Sequence, residues 1–495
     1  MNNLSIFLLR PILYFSESLI VKVGRKGRKY ARVLLTTIDP LRKKFRNFIK
    51  FVADMERIAV FSSHVSTVPI TICPATSELV PSTTVITIIG GGNSGHVCAS
   101  LIHGNTNGAV KVQLFTRWPE KWSRTPSVRF PDNSHQEGLI SLISNDPREV
   151  LPQSDIVLWT GPVNATKAVF ESIRPFINPK KTVVGTIFAQ GLTHMLAYRI
   201  FGCDMRFFAL RNIPWLCRTV KVGHECEIVG AKSSIEAAVV NISEEFVKRE
   251  LEPLFIVRSV NEPVINVIPD FVPIVFNPAN QLIHPAVYYS LFSKWRKGKA
   301  LSGADEPNEW LYRDMSEMAG NILQAIDDEM QNVKTAFFEA TGVRSCFSVL
   351  PLKERLLVQY GDQIKDKSTM AKIVGTNAAY SMAKTPLIRT SIGVVPNPRH
   401  RVVVDDIGWG LCVLISIADR LDVPVHMMKM LVYWHQDLMG KEFLVNGRLT
   451  GRDCAELVLL SLSDPLELVA RVPDKIMDLI ADADAQAEEN RIGNP

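Results

Sequence analysis

The sequence contains no close pair of cysteines. Its eight, Cys73, Cys98, Cys203, Cys217, Cys226, Cys346, Cys412 and Cys454, are scattered and form no C-x-x-C. That spacing excludes a zinc ribbon or a disulfide-stapled scaffold and fits a reducing compartment, and no metal is implied. Long uninterrupted apolar runs are also lacking, so no stretch reads as a stable membrane span. Internal repeats and low-complexity segments are absent. A surplus of positive charge is confined to one end: residues 1–52 hold twelve Lys/Arg against Glu17 and Asp39, while the remainder is slightly acidic. The net charge of +6 therefore does not describe a basic body, and no nucleic-acid motif accompanies it. At 495 residues, 46% hydrophobic and 21% charged, the chain has the make-up of a globular enzyme of two or three domains.

The most informative stretch is Val85 to Gly95, VITIIGGGNSG. Val85 to Ile89 reads as a buried strand, and His96 to His103 continues at a helical period. Gly90, Gly92 and Gly95 stand on a G-x-G-x-x-G spacing between them. The first glycine permits the tight turn, the second lets backbone approach a pyrophosphate, and the third lets helix and strand pack closely. The phosphates belong at the helix N-terminus, where unpaired N–H groups and the helix dipole favour negative charge. With a second strand following at Val110 to Phe115, the pattern predicts a dinucleotide site. Gly90, Gly92, Asn93 and Gly95 are its expected contacts.

Around this motif the chain divides into four expected regions. Residues 1–82 form a basic extension, either a targeting leader or sequence outside the working body. The body points to the cytoplasm, with the mitochondrion as the alternative if the leader is a transit peptide. Residues 83–261 alternate strands and helices as in a doubly wound Rossmann sheet. Strands are expected at Asp155–Thr160, Thr182–Ile187, Met205–Leu210 and Glu227–Val229, a helix at Ile235–Leu251, and a closing strand at Leu254–Val257. Residues 262–480 read as a second, mainly α-helical domain, with helices at His284–Trp295, Met315–Phe338, Leu352–Tyr360, Leu411–Arg420 and Val425–Gln436. Residues 481–495 form a polar tail.

The second strand also lacks something. An NAD-preferring fold usually ends it with an acid that bonds the ribose 2′-OH. Here it ends Thr116-Arg117, with no carboxylate before Glu120. A guanidinium grips a 2′-phosphate with parallel hydrogen bonds, so Thr116 and Arg117 point to NADP, with NAD as the alternative. Pro162, in the Gly161-Pro162 turn after a sheet strand, is the candidate nicotinamide contact.

Dehydrogenation also requires a proton partner and a substrate anchor. Asn280 and His284 stand at i, i+4, and histidine exchanges protons near neutrality. Far along the chain, Arg401 precedes the paired carboxylates Asp405 and Asp406, beside an apolar, strand-like run. These motifs bring a resemblance into view. GGGNSG, Asn212-Ile213-Pro214-Trp215-Leu216-Cys217-Arg218 with GHECEIVGAK behind it, Asn280-x-x-x-His284-Pro285, Arg401-x-x-x-x-Asp406-Ile407 and VNGRLTGRDCAE follow one another as in the opine dehydrogenases. The chain resembles that octopine and nopaline dehydrogenase family over residues 83 to 470. The resemblance implies a His284–Asp406 catalytic dyad, Asn280 positioning His284, and Arg401 holding a keto acid carboxylate. It further implies reductive condensation of an α-keto acid such as pyruvate with an amino acid's amino group, and a helical domain like that of 6-phosphogluconate dehydrogenase. Two departures flank the dyad: Gly408-Trp409-Gly410 replaces the family's proline and aromatic, and Asp405 replaces the commoner glutamate.

Two other readings are weighed against this one. A 2-hydroxy acid, ketopantoate or glycerol phosphate dehydrogenase would commonly use a lysine as acid/base, and no lysine stands in a comparable motif. A non-catalytic NADP-binding sensor would have no need of His284, Arg401 and Asp406 together. Small-molecule substrates are the expected partners, and the oligomeric state is open.

Overall fold

A computed structural model describes residues 84–470, apart from 233, 258–263, 314, 382, 462 and 465. The expectations for the extension 1–82 and the tail 481–495 lie outside the described residues. Among the described residues, no helix is long and apolar enough to cross a membrane.

The first half is built on an eight-stranded sheet. β1 (Thr84–Ile89) runs into α1 (Asn93–Asn105) and β2 (Val110–Phe115). Two short strands, β3 (Ser127–Arg129) and β4 (His135–Glu137), precede β5 (Ile140–Ser144). β6 (Ile156–Trp159), α2 (Thr166–Ile173), β7 (Val183–Thr186), α3 (Thr193–Phe201) and β8 (Arg206–Leu210) follow. β9 (Trp215–Lys221), β10 (Glu225–Ala231), β11 (Ser234–Val240) and β12 (Val264–Val267) end the strand-rich part. The order is β12-β11-β8-β7-β6-β1-β2-β5, parallel throughout except where β11 meets β8. β1 lies between β2 and β6, so successive connections leave it in opposite directions and open a crevice at the strands' C-terminal ends. β1, β6 and β7 are buried almost end to end, as the centre of a sheet covered on both faces must be. A small second sheet, β4-β3-β10-β9, packs beside α1.

Three expectations need correction here. Ile235–Leu251 is not one helix. Its first third is strand β11, followed by Asn241 in the left-handed region (φ 53°), then a short turn of helix capped by the Ser243 hydroxyl. Ile235, Ala237, Ala238 and Val240 are buried against the sheet, and that tertiary burial outweighs the helical spacing of the apolar residues. Leu254–Val257 is not the closing strand, since Glu252–Phe255 forms a 3-10 turn around Pro253. The sheet closes instead on β12, beyond the expected boundary at residue 261.

The helical half places α4 (Asn280–Phe292), α5 (Glu317–Thr341), α6 (Leu352–Tyr360), α7 (Arg401–Asp406), α8 (Cys412–Arg420) and α9 (His426–Met439). α7 corrects the strand-like reading of Arg401–Asp406: the His400 ring accepts the Val402 N–H and starts a helix there. Between α7 and α8 the chain takes one wide π turn, Ile407–Leu411. This is where Gly408-Trp409-Gly410 departs from the family's pattern. A side chain at Gly410 would collide with Gln281 on α4, and one at Gly408 would press on Leu457. Gly410 lets the wide turn approach α4 closely, and Gly408 leaves room for Leu457. Apolar packing continues from the sheet into this half, Phe207 of β8 stacking on Phe271 with ring centroids 6.2 Å apart.

Candidate active site

At the crevice, the glycine loop is shaped by three restraints. Gly90 has φ 110°, a backbone state that L side chains rarely adopt. A Cβ on Gly95 would run into the Gly90 carbonyl, so only glycine brings α1 this close to β1. Gly92 caps α1 with no side-chain hydrogen bond, and a Cβ there would meet nothing within 4 Å. The first N–H groups of α1 therefore face open space with no capping oxygen, which fits a pyrophosphate.

His96, which sequence reasoning passed over, braces the loop from behind. Its Nε2 accepts the Gly223 N–H at 2.6 Å, which leaves Nδ1–H to donate to the Gly92 carbonyl at 2.8 Å. Burial lowers its pKa and keeps the ring neutral in that role. Asn93, expected at the phosphates, has its side-chain oxygen taken by the Thr219 N–H and hydroxyl. That carbonyl ties α1 to β9.

Thr116 is buried, with its hydroxyl against the space a Gly91 side chain would fill. Arg117 is exposed. Its guanidinium lies 5.4 Å from the Trp118 ring centre, and the Lys121 ammonium lies 4.5 Å from it. Two cations thus flank an exposed indole at the end of β2. Pro162 is exposed at the end of β6 and starts the 3-10 turn Val163–Ala165, which packs against α7 and the π turn.

The residues expected to do chemistry meet where the sheet's C-terminal ends face α4 and α7. His284 and Asp406, 122 positions apart in the chain, are joined by a 2.6 Å hydrogen bond from Nδ1 to Oδ2. Their side chains are 9% and 7% exposed, so the pair is shielded from bulk water. Gln190, on the loop after β7, points its Nε2 at the other Asp406 oxygen and at the Asp405 carbonyl, both at 3.4 Å. The remaining imidazole nitrogen, Nε2, lies 2.5 Å from the Tyr312 hydroxyl. Neither Gln190 nor Tyr312 was visible in the sequence, because each is a lone polar residue on a connecting segment with no motif spacing to His284. Asn280 corrects an expectation. Both ring nitrogens of His284 are occupied, and Asn280, exposed at the first turn of α4, makes no hydrogen bond to it among the described residues. Asp406 and Tyr312 position the imidazole.

One turn before Asp406, Arg401 has its side chain 60% exposed, with Nε 3.7 Å from Asp405. Asp405 itself is buried. Both of its carboxylate oxygens are buried and make no close side-chain hydrogen bond, the Arg401 ion pair being long. Burial pushes its carboxyl up to about 7, with Arg401 and the Asn164 N–H opposing the rise and the Asp406 charge adding to it. An unfolded aspartate ionises near pH ~4, so the folded chain holds an extra proton between about pH 4 and pH 7. Stability therefore falls as pH rises through that window, and the loss is complete above it. Asp405→Asn is expected to melt with wild type near pH ~4 and above it near pH ~8. Thermal melts across that range check this, and a variant less stable than wild type at the alkaline end would show that Asp405 is anchored as a carboxylate.

A glycine loop at the switch point of a doubly wound sheet, opposite a buried His–Asp pair on a helical domain, defines a two-domain pyridine-nucleotide-dependent dehydrogenase. Comparison narrows the class. The family model described as "NAD/NADP octopine/nopaline dehydrogenase, alpha-helical domain" matches residues 267–439. Octopine dehydrogenase of Mizuhopecten yessoensis is 26% identical over 386 residues, which is 75% of this chain and 94% of the relative. Tauropine dehydrogenase of Arabella iricolor is 25% identical over 387 residues, covering 74% of this chain and 95% of the relative. The fold is similar to a solved octopine dehydrogenase with NADH and L-arginine: TM-score 0.68 at 22% identity, over 78% of this chain and 98% of that one. The helical half thus matches the octopine/nopaline dehydrogenase family model, and three quarters of the chain is similar to octopine and tauropine dehydrogenases.

Proposed function

We propose that this chain reductively condenses an α-keto acid with the amino group of an amino acid, and runs the reverse, with NADP(H) as its preferred coenzyme. The observation that carries the reading is the buried His284–Asp406 pair with Arg401 one turn away on the same helix. The names of the relatives, octopine and tauropine dehydrogenase, agree with it. With its pyrophosphate at the glycine loop, a bound coenzyme would supply the hydride that reduces the imine. The chain's own residues do the rest. Arg401 holds the keto acid carboxylate through paired hydrogen bonds and so orients the carbonyl carbon. His284 moves protons as the carbinolamine loses water, and Asp406 fixes its tautomer and balances the imidazolium charge. Asn280, exposed and without a side-chain partner among the described residues, serves as a substrate contact.

Following NADPH and NADH oxidation over a grid of α-keto acids and amino acids tests this. The reading requires turnover that depends on both substrates. Equal turnover with a keto acid alone, giving a 2-hydroxy acid, would overturn it. The coenzyme preference rests on Arg117, with Lys121, also near the Trp118 ring, adding positive charge. Arg117→Asp is expected to move the kcat/KM ratio toward NADH by about tenfold or more, the cost of losing a charged hydrogen-bonding partner. An unmoved ratio would remove Arg117 from the 2′-phosphate site.

A further inference from the structure

The dyad leaves one matter open. With Asp406 accepting from Nδ1, the only imidazole nitrogen left for substrate is Nε2, and Tyr312 already sits on it. Either the phenol is a plug that must leave, or it is part of the path the proton takes.

The surroundings favour the second. Tyr312 lies on the segment between α4 and α5, and its side chain is held on several sides. Its ring stacks on His284 at a 20° interplanar angle and packs on Tyr380 with centroids 4.9 Å apart. The backbone is pinned as well: the Leu311 N–H donates to the Ala383 carbonyl, and the Tyr312 carbonyl accepts from Met315. A plug needs freedom to swing, and this ring is packed on both His284 and Tyr380. A cavity of about 100 Å³ adjoins Tyr312, walled in part by Tyr380, Gly375, Thr376 and Asn377. That is room for a few water molecules or a small polar group beside Tyr312. Burial, with the Asp406 charge adding to it, pushes the phenol's pKa far up. The hydroxyl therefore does not hold a negative charge: when it gives a proton up, it must take one in.

We infer that Tyr312 is a catalytic residue, relaying the proton between His284 Nε2 and the reacting oxygen of the substrate. This rests on reading His284 and Asp406 as the catalytic dyad. In the condensing direction the step balances as follows. The imidazolium Nε2–H bond breaks as the phenol oxygen takes that proton. The phenol's own O–H bond breaks as its proton passes to the carbinolamine hydroxyl. The carbon–oxygen bond then cleaves with its electron pair, water leaves, and the nitrogen lone pair closes the iminium. Tyr312 ends as it began, a neutral phenol with its hydrogen on the other side, ready to be reset when the imidazole regains a proton.

The test is Tyr312→Phe, which removes one oxygen and keeps the ring packing. It is expected to lower kcat about a hundredfold, the lower end of what positioned proton transfer contributes, with coenzyme Kd unchanged. The solvent-isotope dependence should also change: wild type shows the curved proton inventory of two protons in flight, and the variant shows a straight one. Wild-type kcat in the variant, or a kcat above wild type as a displaced plug would give, overturns the proposal. Should the phenylalanine variant fail to fold, 2,3-difluorotyrosine at 312 keeps the size and makes the phenol more acidic. A kcat that then tracks the phenol's acidity supports the relay, and an indifferent one overturns it. His284→Ala, measured alongside, separates the two readings. An active His284→Ala enzyme ends the dyad itself, whereas a dead one beside a fully active Tyr312→Phe ends only the relay.

Discussion

His284→Ala is expected to lower kcat by about 10²–10⁴-fold, the range for removing a positioned acid–base group, while the coenzyme binds as before. The coenzyme is spared because the glycine loop is braced by His96 and Thr160, both in the Rossmann half. Asp406→Asn keeps a side chain of the same shape but removes the charge that supports the imidazolium, so it too loses most of kcat. Under the proposed dyad the double variant is expected to be little worse than His284→Ala alone, because residues working as one unit do not add their costs. Steady-state kinetics with an independent coenzyme titration decides the matter. A structural histidine gives the opposite record: a lowered melting temperature with turnover near wild type. Fully additive losses would mean that the two residues work separately, despite the 2.6 Å bond between them.

The second large effect separates two glycines three residues apart. Gly92→Ala is expected to fold and melt like wild type, because its Cβ enters open space and φ there is −85°, ordinary for alanine. The open space is where a pyrophosphate would come down on α1, so coenzyme affinity falls by about tenfold or more as the methyl group displaces it from the helix N-terminus. Gly95→Ala fails earlier. Its methyl meets the backbone carbonyl of Gly90, which cannot move without opening the contact between α1 and β1, and the Thr160 hydroxyl stands close behind. Overpacking against backbone costs about 1–3 kcal/mol or more, so loss of melting temperature accompanies loss of binding. Melting curves and coenzyme titrations of both variants check this. A Gly92→Ala protein with unchanged affinity would mean the phosphates lie elsewhere.

How far the sequence disclosed this arrangement depended on whether a signal was local. β1, the glycine loop and α1 were legible because turn, strand and helix each leave a mark within eleven residues. The long helices α5, α6 and α9 were legible from periodicity alone. β11 was misread because its buried residues fit a helical stripe nearly as well as an alternating one, and only the neighbouring β8 decides between them. α7 was misread for a related reason: three valines in a row favour a strand, and what overrides them is a cap from His400 and packing against α4. For the site, His284, Arg401 and Asp406 came from motif spacing, but no spacing rule reaches Tyr312 or Gln190. Their roles exist only once the segments after β7 and between α4 and α5 are brought to one place.

An imidazole held at both nitrogens has already lost its rotational freedom before any substrate arrives. Free in water, such a ring samples several rotamers and turns over about its own bond. Here Asp406 and Tyr312 hold a single orientation, and the ordering cost, about 1 kcal/mol for a side chain of this size, is met once, when the chain folds. Substrate binding then need not freeze the base as well as itself, so entropy that would otherwise burden each turnover is charged to the stability of the folded state.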